Sequence, residues 1–310
     1  MIAFVFPGQG AQHVGMGRAL SEAFPICRQV FAEADAALDE RLSALCFDGP
    51  DEALTLTENT QPAILATSTA VARLVRSNGI EPAYAAGHSL GEYSAHVAAG
   101  TLSFPDALRT VRRRGRYMQE AVPIGEGAMA AIPGLAPEAV ARACAEAADG
   151  QIVTPANLNA PGQVVIAGHA AAVARAGDRA KALGAKRVIA LAVSAPFHCP
   201  LMKSAEERLA PELRALHAAD PSIPVVANVD ALPKRSSAES IDALVRQVSC
   251  PVRWEEVVRR LIAEGVRTFL ELGPGTVLAG LIRKIDRGVA VHSVEDPEGF
   301  EQVLRVLGHP

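Results

Sequence analysis

Ser89 stands at the centre of Gly87-His88-Ser89-Leu90-Gly91, a G-x-S-x-G pattern that follows the small-residue run Ala83-Tyr84-Ala85-Ala86 and leads into Glu92-Tyr93-Ser94-Ala95-His96. A serine hydroxyl attacks a carbonyl only when it is held exposed, served by a base, and close to donors for the oxyanion that forms. The two glycines leave room for a sharp strand-to-helix turn with strained dihedrals at Ser89, which lifts the hydroxyl over the end of a sheet. The helix starts directly behind it, so its free N–H groups, beginning with Leu90, face a developing negative charge. Five residues with three fixed positions are weak evidence alone; the strand before and the helix after make Ser89 the candidate nucleophile.

The nucleophile needs a base, and the chain has eight histidines: 13, 88, 96, 169, 198, 217, 292 and 309. His88 leaves the turn in another direction from Ser89 and is expected to support the elbow, while His96 falls on the helix behind it and points away. His198 sits in Ser194-Ala195-Pro196-Phe197-His198-Cys199-Pro200, an irregular, proline-bracketed loop at a suspected hinge where clefts form, and is the best candidate. Cys199 is a rival nucleophile by type, but nothing near it lowers a thiol pKa, and a buried inert thiol is expected. Arg109, Arg112, Arg113, Arg114 and Arg116 share one helical stretch; most of such a run is a solvated face. Helical spacing turns Arg114 about 100° from Arg113, so one arginine could face differently, and periodicity alone does not say which.

Elements must bring these residues together. Residues 2–6 read as a buried strand ending in Pro7-Gly8-Gln9-Gly10, a loop that matches neither phosphate-binding spacing but offers close backbone approach and the Gln9 amide at the carboxyl end of a strand. Helices are expected over about 16–39, 62–77 and 105–120, with Thr57 to Gln61 as a polar cap. From about 125 to 195 the order is strand 128–132, helix 137–148, strand 152–157, strand 163–168, helix 169–183, strand 186–191, a βαββαβ series that matches the ferredoxin-like motif and could be inserted into a larger domain. Afterwards strands near 224–229, 266–271 and 289–293 alternate with helices near 238–249, 253–264, 275–286 and 297–307. The division expected is a discontinuous large domain, 1–124 and 196–310, and a small domain, 125–195.

At 310 residues the chain is about twice a usual domain, and 49% hydrophobic residues are enough for a sizeable core. A net charge of −4 gives no reason to expect nucleic acid or an anionic membrane as partner. The first residues lack a basic n-region and a cleavage site, and no apolar run of about 18 residues occurs, so a soluble cytoplasmic protein is expected. Five cysteines, Cys27, Cys46, Cys144, Cys199 and Cys250, form no C-x-x-C pair and leave an odd one, which argues against a zinc site and a disulfide framework.

Phe-Pro-Gly-Gln-Gly (6–10), Thr-Gln-Pro-Ala (60–63), Gly-His-Ser-Leu-Gly-Glu-Tyr (87–93), Arg-Gly-Arg-Tyr-Met-Gln (114–119), Pro-Gly-Gln-Val-Val-Ile-Ala-Gly (161–168), Phe-His (197–198) and Glu-Leu-Gly-Pro-Gly (271–275) together resemble the malonyl-CoA:acyl carrier protein transacylases over nearly the whole chain. The resemblance implies an α/β fold: an α/β-hydrolase-like large domain with a parallel sheet and an inserted ferredoxin-like small domain. It implies that Ser89 is acylated by malonyl-CoA, that His198 is its base, that Arg114 holds the malonyl carboxylate, and that Gln9 and the Leu90 N–H form the oxyanion hole. Gln247 matches the position whose main-chain carbonyl orients the histidine. Phe197 either crowds the malonyl α-carbon against branched extenders or packs the hinge.

The implied reaction is a ping-pong transfer from malonyl-CoA to the phosphopantetheine thiol of an acyl carrier protein or a polyketide synthase carrier domain, by a monomer that needs no metal or redox cofactor. An acidic carrier helix calls for a basic rim, for which Lys181, Lys186, Arg187, Arg283, Lys284 and Arg287 are the candidates. Two readings from other classes are a serine hydrolase, against which Arg114 argues by demanding a carboxylated substrate, and a non-catalytic carrier-docking module, against which an intact Ser89 and His198 argue.

Overall fold

The computed structural model describes residues 1–308. The chain opens with β1 (Ile2–Phe6), then five helices, α1 (Arg18–Ala23), α2 (Pro25–Leu38), α3 (Leu42–Asp48), α4 (Asp51–Thr55) and α5 (Thr57–Ser77), before β2 (Tyr84–Gly87), α6 (Gly91–Ala98) and α7 (Phe104–Glu120). Next come β3 (Gly127–Pro133), α8 (Pro137–Ala147), β4 (Val153–Ala160), β5 (Gln163–His169), α9 (Ala170–Ala182) and β6 (Ile189–Ala190). The last stretch holds α10 (Lys203–Arg214), β7 (Val225–Val226), β8 (Pro233–Lys234), α11 (Ser237–Gln247), α12 (Trp254–Ala263), β9 (Thr268–Leu272), α13 (Val277–Ile285), β10 (Ala290–Val294) and α14 (Pro297–Leu307). Among the described residues no helix is long and apolar enough to cross a membrane.

Two sheets organise the molecule. A six-stranded sheet in the order β10-β9-β1-β2-β7-β8 is parallel except for β8 at its edge. Strands covered on both faces read as continuous apolar runs, and β1 is such a strand. Its alternate residues feed opposite cores: Phe4 and Phe6 pack with α2, α5 and α7, while Ala3 and Val5 pack with Trp254 of α12 and Leu278 of α13. A second sheet, β4-β5-β3-β6, is antiparallel throughout and carries its own core, in which Ile132 and Ile166 meet Val140 of α8 and Val173 of α9. The second sheet is tied to the segment before α12, where Leu158 N–H donates to Val252 O and Val252 N–H to Ala156 O, at 2.8 and 2.9 Å.

Several elements differ from the sequence expectation. The helix expected over 16–39 breaks at Phe24, whose extended backbone follows from the Pro25 ring beside it. Helix α5 begins at Thr57, taking in the residues expected as its cap and carrying Pro62 inside it. The strands expected over 186–191 and 224–229 shrink to two residues each. Helices α3, α4 and α10 were not expected; α10 contains Pro211, and proline inside a helical pattern masks it.

Candidate active site

Strand β2 ends at Gly87, paired with Phe6 of β1, and the chain turns at once into α6. Ser89 takes φ +51°, a left-handed conformation that a non-glycine residue holds only under constraint from its surroundings. Both flanking glycines are obligatory: a Cβ on Gly87 would lie 1.9 Å from the Gly91 backbone, and one on Gly91 would lie 2.0 Å from Phe6 O. Asn228, just past β7, clamps the turn on both sides. Its Oδ1 accepts from Ser89 N–H and its Nδ2 donates to Gly87 O, each at 2.7 Å.

His198 also has a left-handed backbone, φ +59°, and is buried. Its Nε2 lies 2.6 Å from Ser89 Oγ and its Nδ1 3.0 Å from Gln247 O at the end of α11. A carbonyl can only accept, so the ring proton sits on Nδ1 and Nε2 is left free to take the serine proton. Burial, and then the positive charge of Arg114, push the imidazole pKa down to about 3, so the ring is neutral near pH 7.

Of the five arginines on α7, four are ion-paired: Arg109 with Asp106, Arg112 with Glu40, Arg113 with Glu212 and Arg116 with Glu58. Arg114 is the one that turns inward, at 2% exposure. It donates to Gln61 Oε1 and Gln247 Oε1, both at 2.8 Å, and to Ser89 Oγ at 3.2 Å, with its guanidinium 5.4 Å from the centre of the Tyr93 ring. Burial pulls its pKa below the usual arginine value. A guanidinium remains charged even so, and the amide oxygens leave it without the charged partner that a carboxylate would supply.

Gln9, Gln61, Ser89, Arg114, Phe197 and His198 line one cavity of about 120 Å³, with Met118, Met129, Leu191 and Val193 on its apolar side. Gln9 Nε2 donates to Thr57 Oγ1 at 3.2 Å, whereas the Leu90 N–H has no acceptor among the described residues. His88 stands aside, as the sequence suggested: its Nε2 meets Asn159 Oδ1 at 2.8 Å and its ring packs edge-on against Trp254. His96 is fully buried with neither ring nitrogen partnered among the described residues, and His169 Nδ1 accepts from Ile152 N–H. His309 lies outside the described residues. The Cys199 thiol, 3.0 Å from Pro196 O, is pushed up to about 11 by burial, the opposite of an activated nucleophile. In the expected basic rim, Lys181 pairs with Asp178 and Arg283 donates to Val291 O; Lys186, Arg187, Lys284 and Arg287 form no ion pair among the described residues.

Sequence reasoning gave no role to Gln61, Glu92 or Asn228. Gln61 and Glu92 lie inside motifs noted for other residues, and Asn228 follows a strand at the carboxyl end of the sheet, which is the one signal that could have found it.

Residues 3–296 match the acyl transferase domain family. The chain is 51% identical over 307 residues to the malonyl CoA-acyl carrier protein transacylase of Bacillus subtilis, covering 99% of this chain and 97% of that one. Its structure is similar to that of the malonyl CoA-acyl carrier protein transacylase of Coxiella burnetii, with TM-score 0.97, 44% identity, and 99% and 98% of the two chains covered. It is also similar to a malonyl-transacylase solved in complex with a type II polyketide synthase acyl-carrier protein, with TM-score 0.96, 50% identity, and 98% and 99% covered.

Proposed function

The chain belongs to the malonyl CoA-acyl carrier protein transacylases, and from that premise we propose that Ser89 carries the malonyl group between coenzyme A and the phosphopantetheine thiol of an acyl carrier protein. One observation supports this most: Ser89 Oγ lies 2.6 Å from His198 Nε2 and 3.2 Å from Arg114 Nη2, so nucleophile, base and a buried cation converge on one atom.

Ser89 Oγ attacks the thioester carbonyl while its proton passes to His198 Nε2. The imidazolium formed is stabilised by Gln247 O, which takes the place of a triad carboxylate. The oxyanion is received by the free Leu90 N–H and by the amide of Gln9, which lines the cavity. Coenzyme A leaves with the proton from the imidazolium, and the ester waits for the carrier thiol, which His198 deprotonates in turn. Each step moves a proton or an acyl group, which calls for no metal or redox cofactor. Arg114 receives the malonyl carboxylate on its planar fork, where a lysine would offer only a point charge. Phe197, 8% exposed at the cavity wall, narrows the space beside the substrate.

The carrier belongs to fatty acid or polyketide synthesis; the similar transacylase complexed with a type II polyketide synthase carrier keeps the second reading in view. Around the site we read residues 1–124 and 196–310 as a hydrolase-like unit and 125–195 as a ferredoxin-like one. The sheet order β4-β5-β3-β6, with α8 and α9 crossing over it, supports that reading.

Intact-protein mass spectrometry after mixing with malonyl-CoA tests the assignment. Wild type gains one malonyl group and Ser89→Ala gains none while keeping its circular dichroism spectrum, since removing a hydroxyl at the turn leaves little or no cavity. A malonyl adduct on the alanine variant would move the nucleophile elsewhere.

A further inference from the structure

Beneath the elbow lies a carboxyl group that the transfer chemistry does not use. Glu92, in the first turn of α6, is fully buried. Its Oε2 accepts two hydrogen bonds at 2.9 Å, from the backbone N–H of Asn228 and from Gln247 Nε2, while Oε1 has no partner among the described residues. Each donor is itself a clamp on the site. Asn228 grips the Ser89 turn through its side chain, and Gln247 holds His198 through its carbonyl and Arg114 through its side-chain oxygen.

The Gln247 amide has to be oriented. Its Nε2 gives one hydrogen to Glu92 and another to Ser89 O at 2.8 Å, and this leaves Oε1 facing Arg114 Nη2. An amide is nearly symmetric in shape; turned over, it would set its NH₂ against the guanidinium, donor against donor. Two acceptors, Ser89 O and Glu92 Oε2, oppose this, and Glu92 is the one supplied by a side chain. We propose that Glu92 is a positioning residue: one of its oxygens fixes the Gln247 amide so that an acceptor faces Arg114, and thereby sets the preference for a carboxylated acyl group. The proposal rests on the reading of Arg114 as the carboxylate's partner. It assigns Glu92 the work of an acceptor and not of a charge. Burial raises its carboxyl to about 7, and because both contacts to Oε2 come from donors, the proton of the neutral acid sits on Oε1 and leaves Oε2 free to accept.

The main-chain carbonyl that holds His198 is set by α11 and not by the amide, so loss of Glu92 should act on selectivity beyond any common loss in rate. The experiment measures kcat/KM for acylation by malonyl-CoA and by acetyl-CoA in three proteins. Glu92→Met removes the acceptor at similar volume; Glu92→Gln keeps an acceptor oxygen without a charge. In Glu92→Met the amide is free to turn its NH₂ against Arg114 Nη2 and push the fork out of line with the incoming carboxylate, so the malonyl-to-acetyl ratio falls roughly tenfold or more. In Glu92→Gln it stays within about threefold of wild type. An equal loss on both thioesters in folded Glu92→Met would reduce Glu92 to elbow support and overturn the proposal, as would a Glu92→Gln variant that loses as much as Glu92→Met. Should Glu92→Met fail to fold, Gln247→Met, which keeps the main-chain carbonyl, reads the same ratio, and an unchanged ratio there overturns it too. Arg114→Ala separates the two claims: if it leaves the ratio intact, the reading of Arg114 has failed; if it collapses the ratio while the Glu92 and Gln247 variants do not, only the role of Glu92 has.

Discussion

Arg114 is charged whether or not substrate is present, and burying it without a carboxylate is costly. The free site softens that cost with the amide oxygens of Gln61 and Gln247. On the proposed reading of Arg114, acetyl-CoA would leave the guanidinium with those partners and malonyl-CoA would add a charged one, so the discrimination would lie mainly in what malonyl gains. Truncation to alanine removes it: malonyl kcat/KM falls by roughly a hundredfold while acetyl kcat/KM holds, since losing one partner of a buried, hydrogen-bonded charge pair costs about 2 to 5 kcal/mol. An equal fall on both thioesters would make Arg114 structural. The same charge acts on His198, the proposed base. His198 is depressed to about 3 by burial first and by Arg114 second, so the free enzyme keeps a neutral imidazole well below pH 6.5. The kcat/KM profile for acylation should then lack a His198 acid limb between pH 8 and 5, and in Arg114→Ala any such limb should move upward. The residues of this site were unequally legible. Ser89 announced itself through turn chemistry, and His198 through an irregular loop. Arg114 could not be told from its four neighbours by period, because the acceptors that turn it inward come from α5 and α11, distant in sequence; the resemblance singled it out.

The elbow is a matter of elements: α6 must run back so closely over the end of β1 that the Gly91 position touches Phe6 O. A methyl group there meets backbone at 2.0 Å, and backbone of a central strand cannot step aside. Gly91→Ala should therefore lower the unfolding free energy by about 2 kcal/mol or more and abolish acylation. Gly100→Ala, at φ +76° with nothing among the described residues within 4 Å of the added carbon, carries only conformational strain; it should cost about 1 kcal/mol and leave acylation intact. Urea denaturation and the mass assay compare the two, and equal costs would mean that the helix can lift off the strand. Both glycines of the elbow were readable as such from the pattern. What holds the turn was not, because Asn228 and Glu92 reach it from sites whose meeting depends on β7 lying beside β2. The alternation of strand and helix was legible wherever apolar periodicity was uninterrupted, as in α7 and β5. It failed where proline breaks the pattern: at Phe24 beside Pro25 it hid the end of a helix, and at Pro211 it hid a helix altogether.

At the scale of the whole molecule, folding withdraws ionisable groups from water, and their balance sets the response to acid. His96 and His198 are both depressed to about 3 from an ordinary 6.5, His96 by burial alone, and His88 shifts the same way. Between those pH values the unfolded chain binds protons on these rings that the folded chain refuses, so their contribution is present above pH 6.5 and lost as pH falls toward 3, at about 1.4 kcal/mol per pH unit for each ring. Glu92 runs the other way. Its carboxyl is raised from 4.5 to about 7, so its contribution is present below pH 4.5 and lost as pH rises through 7. From pH 6.5 to 4.5 Glu92 offsets about one ring, and Glu271, also raised by burial, acts in the same direction; below 4.5 Glu92 offsets none. Stability in urea should thus decline gently at first and more steeply below pH 4.5. His96 lies outside the cavity and its ring nitrogens have no partners among the described residues, so it can be replaced without touching the chemistry. His96→Leu, of similar volume, should keep malonyl transfer and remove one ring's share of the slope between pH 6.5 and 3, making the variant relatively more stable the more acid the medium. A slope identical to wild type would mean that the buried imidazole takes up its proton in the folded state after all, through an acceptor that the fold opens to it in acid.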